Sequence, residues 1–149
     1  AKGLAGGFPV GAVIASAAVG SAMTPGTHGS TFGGNPLAMA AAAVVLEVLT
    51  EDGFMQNVRD QAAYLDAALN GLHNAFPAAI SEIRGRGFLR GICLADHIDV
   101  MALVAALRDD HVLCVPAAEN TLRLLPPLII SRDEIDILMV ALHRQLNAA

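Results

Sequence analysis

The sequence predicts an α/β chain for three reasons. An apolar, partly β-branched segment near the start is typical of a buried strand. Two long helical patterns follow it, and residues 78–149 then alternate short strands with helices. The 149 residues suffice for one medium domain, or for one domain with a piece of another. We therefore expect buried helices together with a small α+β lobe.

The first third of the chain is predicted to contain one strand, a short helical turn and a long helix. The strand covers residues 10–16 and the turn residues 17–23. Glycine, proline, serine and threonine mark residues 24–34 as a loop. Asn35 can cap a helix over residues 36–49, because proline suits its first position. This helix is apolar on nearly all sides, so we expect it to be buried on most faces.

After a break at residues 50–53, a second helix is predicted over residues 54–75. One face is apolar and the opposite face is polar, which is typical of an amphipathic surface helix. We expect this helix to bridge two lobes. The apolar face carries Phe54, Val58, Leu65, Leu69 and Leu72, and the polar face carries Arg59, Asp60, Asp66 and Asn70.

The last part of the chain is predicted to follow the order β-β-α-β-β-α. Ser131 and Glu134 form a capping-box pattern at the start of its final helix, whose apolar face carries Ile135, Leu138, Met139 and Leu142. The preceding elements are strands at 80–84 and 88–94 with a turn at 85–87, a helix at 100–107, and strands at 112–116 and 121–125 with a turn at 117–120.

Composition argues against two kinds of partner. A net charge of −5 without a basic cluster disfavours nucleic acid. No uninterrupted apolar run is long enough to span a bilayer, so we expect no membrane segment. The hydrophobic content of 54% is high for a free-standing soluble domain. The excess predicts apolar surface that contacts a missing domain or a second subunit.

The cysteines and the first residues bear on location and completeness. Cys93 and Cys114 have no metal-ligand spacing, so we expect reduced thiols, no metal site and a cytoplasmic protein. A disulfide between them is the alternative. The chain begins at Ala1 without an initiator methionine or a signal-peptide pattern, so we expect a fragment of a longer protein.

Lys2 is the only lysine beside eight arginines, which makes it a candidate for covalent chemistry. A lysine that attacks a carbonyl must lose its proton and needs room for its partner beside the backbone. Gly3, Gly6 and Gly7 give that room. An exposed lysine near a terminus is the alternative, and the residues alone leave both open.

Two further places have the residues to hold anions. Ser30 and Thr31 lie in a glycine-flanked loop before a helix N-terminus. The N–H groups of such a place favour a phosphate or a carboxylate. The alternative is a loop that only caps the helix. Arg123 alternates with Leu122 and Leu124, so it faces either solvent or a cleft in which it can grip a carboxylate. The other prominent charges are expected to be structural or interfacial (Arg84, Arg86, Arg90) or solvated (Asp96, Asp109, Asp110).

Four stretches resemble the class III (ornithine-type) aminotransferases. They are AKGLAGGFPVGAVIAS at residues 1–16, THGSTFGGNPLAMAAA at 27–42, IRGRGFLRGI at 83–92 and LRLLPPLIIS at 122–131. They occur in the family's order and cover nearly the whole chain. Within the family, GLAGGFPVGA and VPAAENTLRLLPPL look most like the acetylornithine enzymes.

The resemblance implies the C-terminal portion of a pyridoxal-phosphate-dependent transferase of fold type I. Residues 1–50 would end the large cofactor-binding domain, residues 51–77 would form a linking helix, and residues 78–149 would form the small α+β domain. It also implies a homodimer that shares the cofactor site between subunits. The family's phosphate-binding loop, ring-stacking aromatic and pyridine-pairing aspartate would all precede Lys2, outside this chain.

The resemblance also implies roles for four residues. Lys2 matches the catalytic lysine that holds pyridoxal 5'-phosphate covalently. Thr31 matches the threonine that reaches the phosphate of the cofactor bound mainly by the other subunit. Ser30 matches a substrate-contacting neighbour. Arg123 matches the arginine that grips the α-carboxylate of the amino acid or of 2-oxoglutarate.

The implied activity of the parent enzyme is transfer of an amino group from N-acetylornithine, or a related ω-amino donor, to 2-oxoglutarate in arginine biosynthesis. The isolated chain is expected to be inactive, because half of the cofactor site is missing. One alternative is another enzyme of the same fold and cofactor: an ornithine, succinylornithine or 4-aminobutyrate aminotransferase, an aminomutase or a decarboxylase. The other is a non-catalytic assembly module.

Overall fold

The computed structural model describes residues 1–148, and the chain divides into two compact units, Ala1–Met55 and the part from Gln56 onward. A 3-10 turn at Lys2–Ala5 comes first. The helices are α1 (Ala17–Gly20), α2 (Pro36–Thr50), α3 (Phe54–Ala75), α4 (Val100–Asp109) and α5 (Arg132–Ala148), and the strands are β1 (Ile80–Arg86), β2 (Leu89–Leu94), β3 (Val115–Ala117) and β4 (Thr121–Leu124).

The first unit is built around α2, which begins at the predicted cap. The Asn35 Oδ1 atom accepts a hydrogen bond from the Ala38 N–H at 2.9 Å, which satisfies one free donor of the first turn. The 3-10 turn at Lys2–Ala5 packs against α2 and buries Ala5. The predicted helix, its cap and the loop at 24–34 are therefore confirmed.

Residues 10–16 do not form the predicted strand. They have no regular secondary structure, and Val13 and Ile14 are 92% and 98% exposed. The strands of the described chain all belong to one sheet in the second unit, so residues 10–16 have no strand to pair with. A strand needs a neighbour for its N–H and C=O groups, which the apolar pattern alone does not supply. The helical turn predicted just after it is confirmed as α1.

The prediction that α2 is buried on most faces is wrong for this chain. Ala38 and Ala42 are its buried residues, whereas Val44 and Leu46 are 58% and 50% exposed. A helix that is apolar all round is enclosed only when other elements cover each side. The turn at Lys2–Ala5 covers one side.

The bounds of α3 agree with the prediction, and so does its amphipathic character. The Tyr64 hydroxyl donates a hydrogen bond to Asp136 of α5 at 2.6 Å, and the Arg132 guanidinium lies 5.0 Å from the Tyr64 ring centroid. These contacts hold α3 against α5. That α3 links two lobes of a larger enzyme stays a prediction. Its buried residues are Val58, Ala62, Leu65, Leu69 and Leu72.

The second unit contains a four-stranded antiparallel sheet in the order β1-β2-β4-β3, which confirms the β-β-α-β-β-α pattern. One face carries Ile92 and Leu122, which are fully buried together with leucines of α3, α4 and α5. The opposite face is open and carries Arg84, Gly91 and Arg123 in register across three strands. The sheet therefore has one face for the core and one for other contacts.

The strand boundaries differ from the prediction by one residue at β2 and β4, and by more at β1 and β3. β1 extends beyond residue 84, which shortens the hairpin turn to Gly87 and Phe88. β3 covers only Val115–Ala117. The helix α4 ends at Asp109, and His111 follows it with a left-handed φ of 62°. The chain then runs through residues 112–114 before it joins the sheet.

The prediction that Asp110 is a solvated charge is wrong. Its carboxylate forms an ion pair with Arg144 and accepts a hydrogen bond from Gln145 at 2.7 Å. The hydrogen bond from Arg144 lowers the pKa of Asp110 below its ordinary value. These contacts join the end of α4 to α5. Asp96 and Asp109 are exposed, as predicted.

Candidate functional site

Lys2 opens the 3-10 turn of the first unit, and its side chain is exposed. Its backbone φ of 60° lies in the left-handed region, which costs a residue with a Cβ about 1–2 kcal/mol. No acidic side chain forms an ion pair with Lys2 among residues 1–148. The amine is therefore available to a partner.

The base of this turn is fixed by α2 and by glycine. Ala5 is 5% exposed, and a Cβ at Gly6 would lie 3.7 Å from Cγ2 of Val45. Gly6 has a φ of 60°, which glycine adopts without steric cost, and its N–H donates to the Gly3 carbonyl oxygen at 3.1 Å. Lys2 is thus presented from an anchored backbone.

Ser30 and Thr31 lie in the loop that precedes α2, with residues 32–35 between Thr31 and the first residue of the helix. Ser30 lines a cleft of about 630 Å³ whose other wall is formed by residues 8–11, whereas Thr31 is exposed beside that cleft and does not line it. Within the described chain neither hydroxyl takes part in a hydrogen bond. The turn is tight, since a Cβ at Gly33 would lie 3.0 Å from the Ser30 Cβ. Two free hydroxyls near a helix N-terminus suit an anionic group.

Arg123 projects from β4 on the open face of the sheet. Its neighbours Leu122 and Leu124 are buried while Arg123 is exposed, as the alternation predicts. It lines a shallow cleft of about 350 Å³ together with Arg84, Gly91 and other residues of the sheet. No ion pair to Arg123 is formed by any side chain in residues 1–148. Arg123 thus borders a shallow cleft and is also exposed to solvent, and a carboxylate ligand for its guanidinium stays a prediction.

Two other arginines form ion pairs within the second unit. Arg90 forms an ion pair with Asp66 of α3 at 2.7 Å. Arg84 forms one with Glu119 at 2.8 Å and donates a hydrogen bond to the Thr121 hydroxyl at 3.1 Å. The hydrogen bond to Glu119 raises the pKa of Arg84 above its ordinary value.

Asn120 positions the start of β4, and the sequence pattern did not identify it. Its Nδ2 donates to the carbonyl oxygens of Ala95 and Ile98 at 3.0 and 2.8 Å, and its Oδ1 accepts from the Val100 N–H at 3.2 Å. Its φ of 48° follows a φ of 58° at Glu119, so both residues are left-handed. Asparagine tolerates that conformation better than most residues. An asparagine in the predicted turn at 117–120 is therefore the sequence feature that could have identified this residue.

The predicted site residues fall into two groups. Lys2, Ser30 and Thr31 belong to the first unit, and Arg123 belongs to the second. The first group offers a primary amine, two hydroxyls and a helix N-terminus. An amine can bond an aldehyde and a hydroxyl can bind a phosphate, so Lys2 suits one end of pyridoxal 5'-phosphate and Thr31 suits the other end of the cofactor molecule held mainly by a second subunit.

Other parts of the described chain offer fewer candidates. Residues 1–148 contain no group of three or more His, Cys, Asp or Glu side chains placed to hold a metal ion. None of their helices is long and apolar enough to cross a membrane. Cys93 and Cys114 are free thiols, as predicted, and burial raises the pKa of Cys114 to about 11.

Comparison with known sequences identifies relatives over nearly the whole chain. The class III aminotransferase family matches residues 1–146. The chain is 48% identical over 135 residues to the acetylornithine aminotransferase of Brucella melitensis, which covers 90% of this chain and 33% of that protein. It is 44% identical to the acetylornithine aminotransferase of Rhodobacter capsulatus, over 100% of this chain and 36% of that protein. The chain thus spans about a third of the length of these relatives.

Solved structures agree with this grouping. The lysine aminotransferase from M. tuberculosis matches with a TM-score of 0.77 and 34% identity, over 83% of this chain and 28% of that chain. The ornithine aminotransferase from Toxoplasma gondii matches with a TM-score of 0.76 and 35% identity, over 87% and 31% respectively. The α/β fold of a pyridoxal-phosphate-dependent aminotransferase is therefore confirmed. Class III aminotransferases are pyridoxal-phosphate-dependent transaminases, and this chain belongs to that family.

Proposed function

We propose that the whole protein transfers an amino group from N-acetylornithine, or from a related ω-amino donor, to 2-oxoglutarate as a step of arginine biosynthesis. Relatives named acetylornithine aminotransferase, at 44–48% identity, support this donor. The observation that carries the proposal is the match of the class III aminotransferase family to residues 1–146, which include Lys2 on a turn anchored to α2.

Lys2 and Thr31 are the residues of this chain that would hold the cofactor. Lys2 Nζ would bond the cofactor of its own subunit covalently, and the Thr31 hydroxyl would contact the phosphate of the cofactor bound mainly by the other subunit of a homodimer. The position of Thr31 before the N-terminus of α2 supports this role, because a phosphate accepts hydrogen bonds and is favoured by the helix dipole. Pyridoxal 5'-phosphate would supply the electron sink for charge on the substrate carbon.

Lys2 has a second proposed role, which is to carry a proton. With the substrate bound, the freed Lys2 Nζ would take a proton from the substrate carbon that bears the amino group and deliver it to the cofactor carbon to which that amino group is joined. Because Ala5 and Gly6 anchor the turn, this motion needs only the flexible side chain. Proton transfer by a positioned side chain contributes about 10²- to 10⁴-fold to a reaction rate.

Arg123 and Ser30 are proposed to bind the substrate. The Arg123 guanidinium offers two parallel N–H groups to the α-carboxylate of the amino acid or of 2-oxoglutarate. The Ser30 hydroxyl lines its cleft and is free to donate or accept a hydrogen bond. Loss of the charged hydrogen bonds of Arg123 would raise the KM for 2-oxoglutarate by about 10- to 100-fold.

The isolated chain is proposed to be inactive, and the whole protein to be a cytoplasmic homodimer. The amine, hydroxyls and guanidinium described above can anchor the two ends of the cofactor and a substrate carboxylate, but they leave the cofactor ring without contacts. Since the chain spans 33–36% of its curated relatives, those contacts are expected from the rest of the protein.

Substitution of Lys2 in the full-length enzyme tests the proposed function. Lys2→Ala is expected to lower kcat by about 10²- to 10⁴-fold and to remove the visible absorbance of the lysine-bound cofactor. Retention of both would contradict the assignment. Ser81→Ala, an exposed position of β1, is the control for substitution itself.

The donor is identified by a second measurement. Glutamate formation from 2-oxoglutarate is compared for N-acetylornithine, succinylornithine, ornithine, 4-aminobutyrate and lysine. N-acetylornithine is expected to give the highest kcat/KM. Ornithine and lysine are the second candidates, because aminotransferases named for these donors are 34–35% identical to this chain. No glutamate from any of them would favour an aminomutase, a decarboxylase or an assembly module.

A further inference from the structure

Arg84, Gly91 and Arg123 form one row across β1, β2 and β4 on the open face of the sheet. Gly91 leaves space in the middle of this row. A Cβ there would lie 2.9 Å from Cγ2 of Thr121 and 3.3 Å from Cγ of Arg84. The Arg84 side chain therefore crosses β2 over Gly91 and reaches the start of β4.

At the far end of its side chain, Arg84 makes two contacts. Its Nη1 lies 2.8 Å from Oε2 of Glu119, and its Nη2 donates to Oγ1 of Thr121 at 3.1 Å. Thr121 is 2% exposed, and its hydroxyl donates to the Glu119 carbonyl oxygen at 3.1 Å. One guanidinium thus holds both the carboxylate of Glu119 and the threonine that contacts its backbone.

This ion pair contributes little to folding. The Arg84 and Glu119 side chains are 41% and 75% exposed, and exposed pairs are weakened by solvent and by salt. Its position is more informative, because Arg84 and Arg123 line the same cleft. Within residues 1–148 Glu119 has a basic partner, whereas Arg123 forms no ion pair.

We propose that Arg84 is a positioning residue of the carboxylate site, because its pairing with Glu119 keeps that carboxylate off Arg123. The inference rests on the proposed function of Arg123 as the substrate's carboxylate ligand. Glu119 precedes Arg123 by a few residues in the same hairpin. Once released from Arg84, a carboxylate on the same hairpin would be held at a high effective concentration and would compete with the substrate for the Arg123 guanidinium. Arg84 removes this competitor.

A double-mutant cycle in the full-length enzyme tests the inference. KM and kcat for 2-oxoglutarate are measured in the wild type, Arg84→Gln, Glu119→Gln and the double variant. Arg84→Gln is expected to raise KM about 10-fold, because the released Glu119 competes for Arg123. We expect kcat to change by less than about two-fold, because saturating substrate displaces the competitor. In the Glu119→Gln background, the same substitution should change KM by less than about two-fold.

Two further variants serve as controls. Arg84→Lys retains a positive charge for Glu119 and is expected to restore most of the affinity. Arg86→Gln removes an exposed arginine from the same strand, one that forms no ion pair in the described chain, and is expected to leave KM unchanged.

Two results would overturn the inference. One is an unchanged KM in Arg84→Gln. The other is a KM increase that persists in the double variant, because Arg84 would then act on the substrate or the fold without Glu119. Arg123→Gln distinguishes failure of the proposed function: an unchanged KM for 2-oxoglutarate in that variant shows that Arg123 does not bind the substrate at all.

Discussion

The two units of the chain contain similar kinds of apolar residue but bury them to different extents. In the second unit, side chains such as Leu65, Leu107 and Ile135 are fully buried. In the first unit, Val13 and Ile14 are 92% and 98% exposed. The second unit therefore has its own core, whereas the first has core-like residues without surfaces that enclose them. The first unit, which carries Lys2, thus leaves apolar side chains uncovered in this chain.

The largest expected effect comes from removing a buried leucine of the second unit. Leu65→Ala is expected to lower the free energy of unfolding by about 2–5 kcal/mol, because it creates a cavity in a closed core. Leu46→Ala removes the same atoms from α2, where the side chain is 50% exposed. This substitution is expected to change the free energy of unfolding by less than about 0.5 kcal/mol. Urea unfolding of the 149-residue chain, followed by circular dichroism, measures both. Equal costs would show that α2 is as well packed as α3.

A smaller effect is expected at the helix caps. Ser131 and Glu134 cap α5 reciprocally, with the Ser131 N–H donating to the Glu134 carboxylate at 2.8 Å and the Glu134 N–H donating to the Ser131 hydroxyl at 3.2 Å. Ser131→Ala is expected to cost about 1 kcal/mol of unfolding free energy. Ser16 caps only the four-residue α1, through a 3.4 Å bond, so Ser16→Ala should leave the same urea midpoint unchanged. A shift in that midpoint would indicate that the first unit folds cooperatively with the second.

The smallest expected effect depends on pH and is confined to the second unit. The hydrogen bond from Arg144 lowers the folded-state pKa of Asp110 below its ordinary value of 3.8. Stabilisation by the ionised carboxylate is therefore present above pH 3.8 and is lost as the pH falls through the lower folded value. Asp110→Asn should lower the melting temperature slightly at neutral pH, and the difference from the wild type should vanish in acid. A difference that grows in acid would contradict this sign.

The same comparison explains which parts of the fold could be predicted from the sequence. The bounds of α3, the capping box of α5 and the β-β-α-β-β-α succession along the chain could be predicted, because the partners of these elements lie mainly within the second unit. The strand at 10–16 and the burial of α2 could not. An apolar pattern indicates that a segment is to be covered, but it does not indicate whether the covering residues belong to the same chain.

The residues of the candidate site were less predictable than the fold of the second unit. Lys2 and Arg123 were identified through resemblance to a family. The residues alone also allowed an exposed lysine near a terminus and a solvent-facing arginine. The structure places an exposed Lys2 in one unit, which both readings of this residue allow, and in the other unit an Arg123 that forms no ion pair with a side chain of residues 1–148 and borders a shallow cleft. The pairing of Arg84 with Glu119 joins residues 35 positions apart, and no periodic pattern in the sequence indicates it.

Chemical trapping at Lys2 tests most directly whether this residue holds the cofactor. The full-length enzyme is incubated with pyridoxal 5'-phosphate, reduced with borohydride, digested and analysed by mass spectrometry. The reduced cofactor is expected on the peptide that contains Lys2, and on no peptide of the Lys2→Ala variant. Cofactor mass on a different lysine, with the Lys2 peptide unmodified, would contradict the assignment.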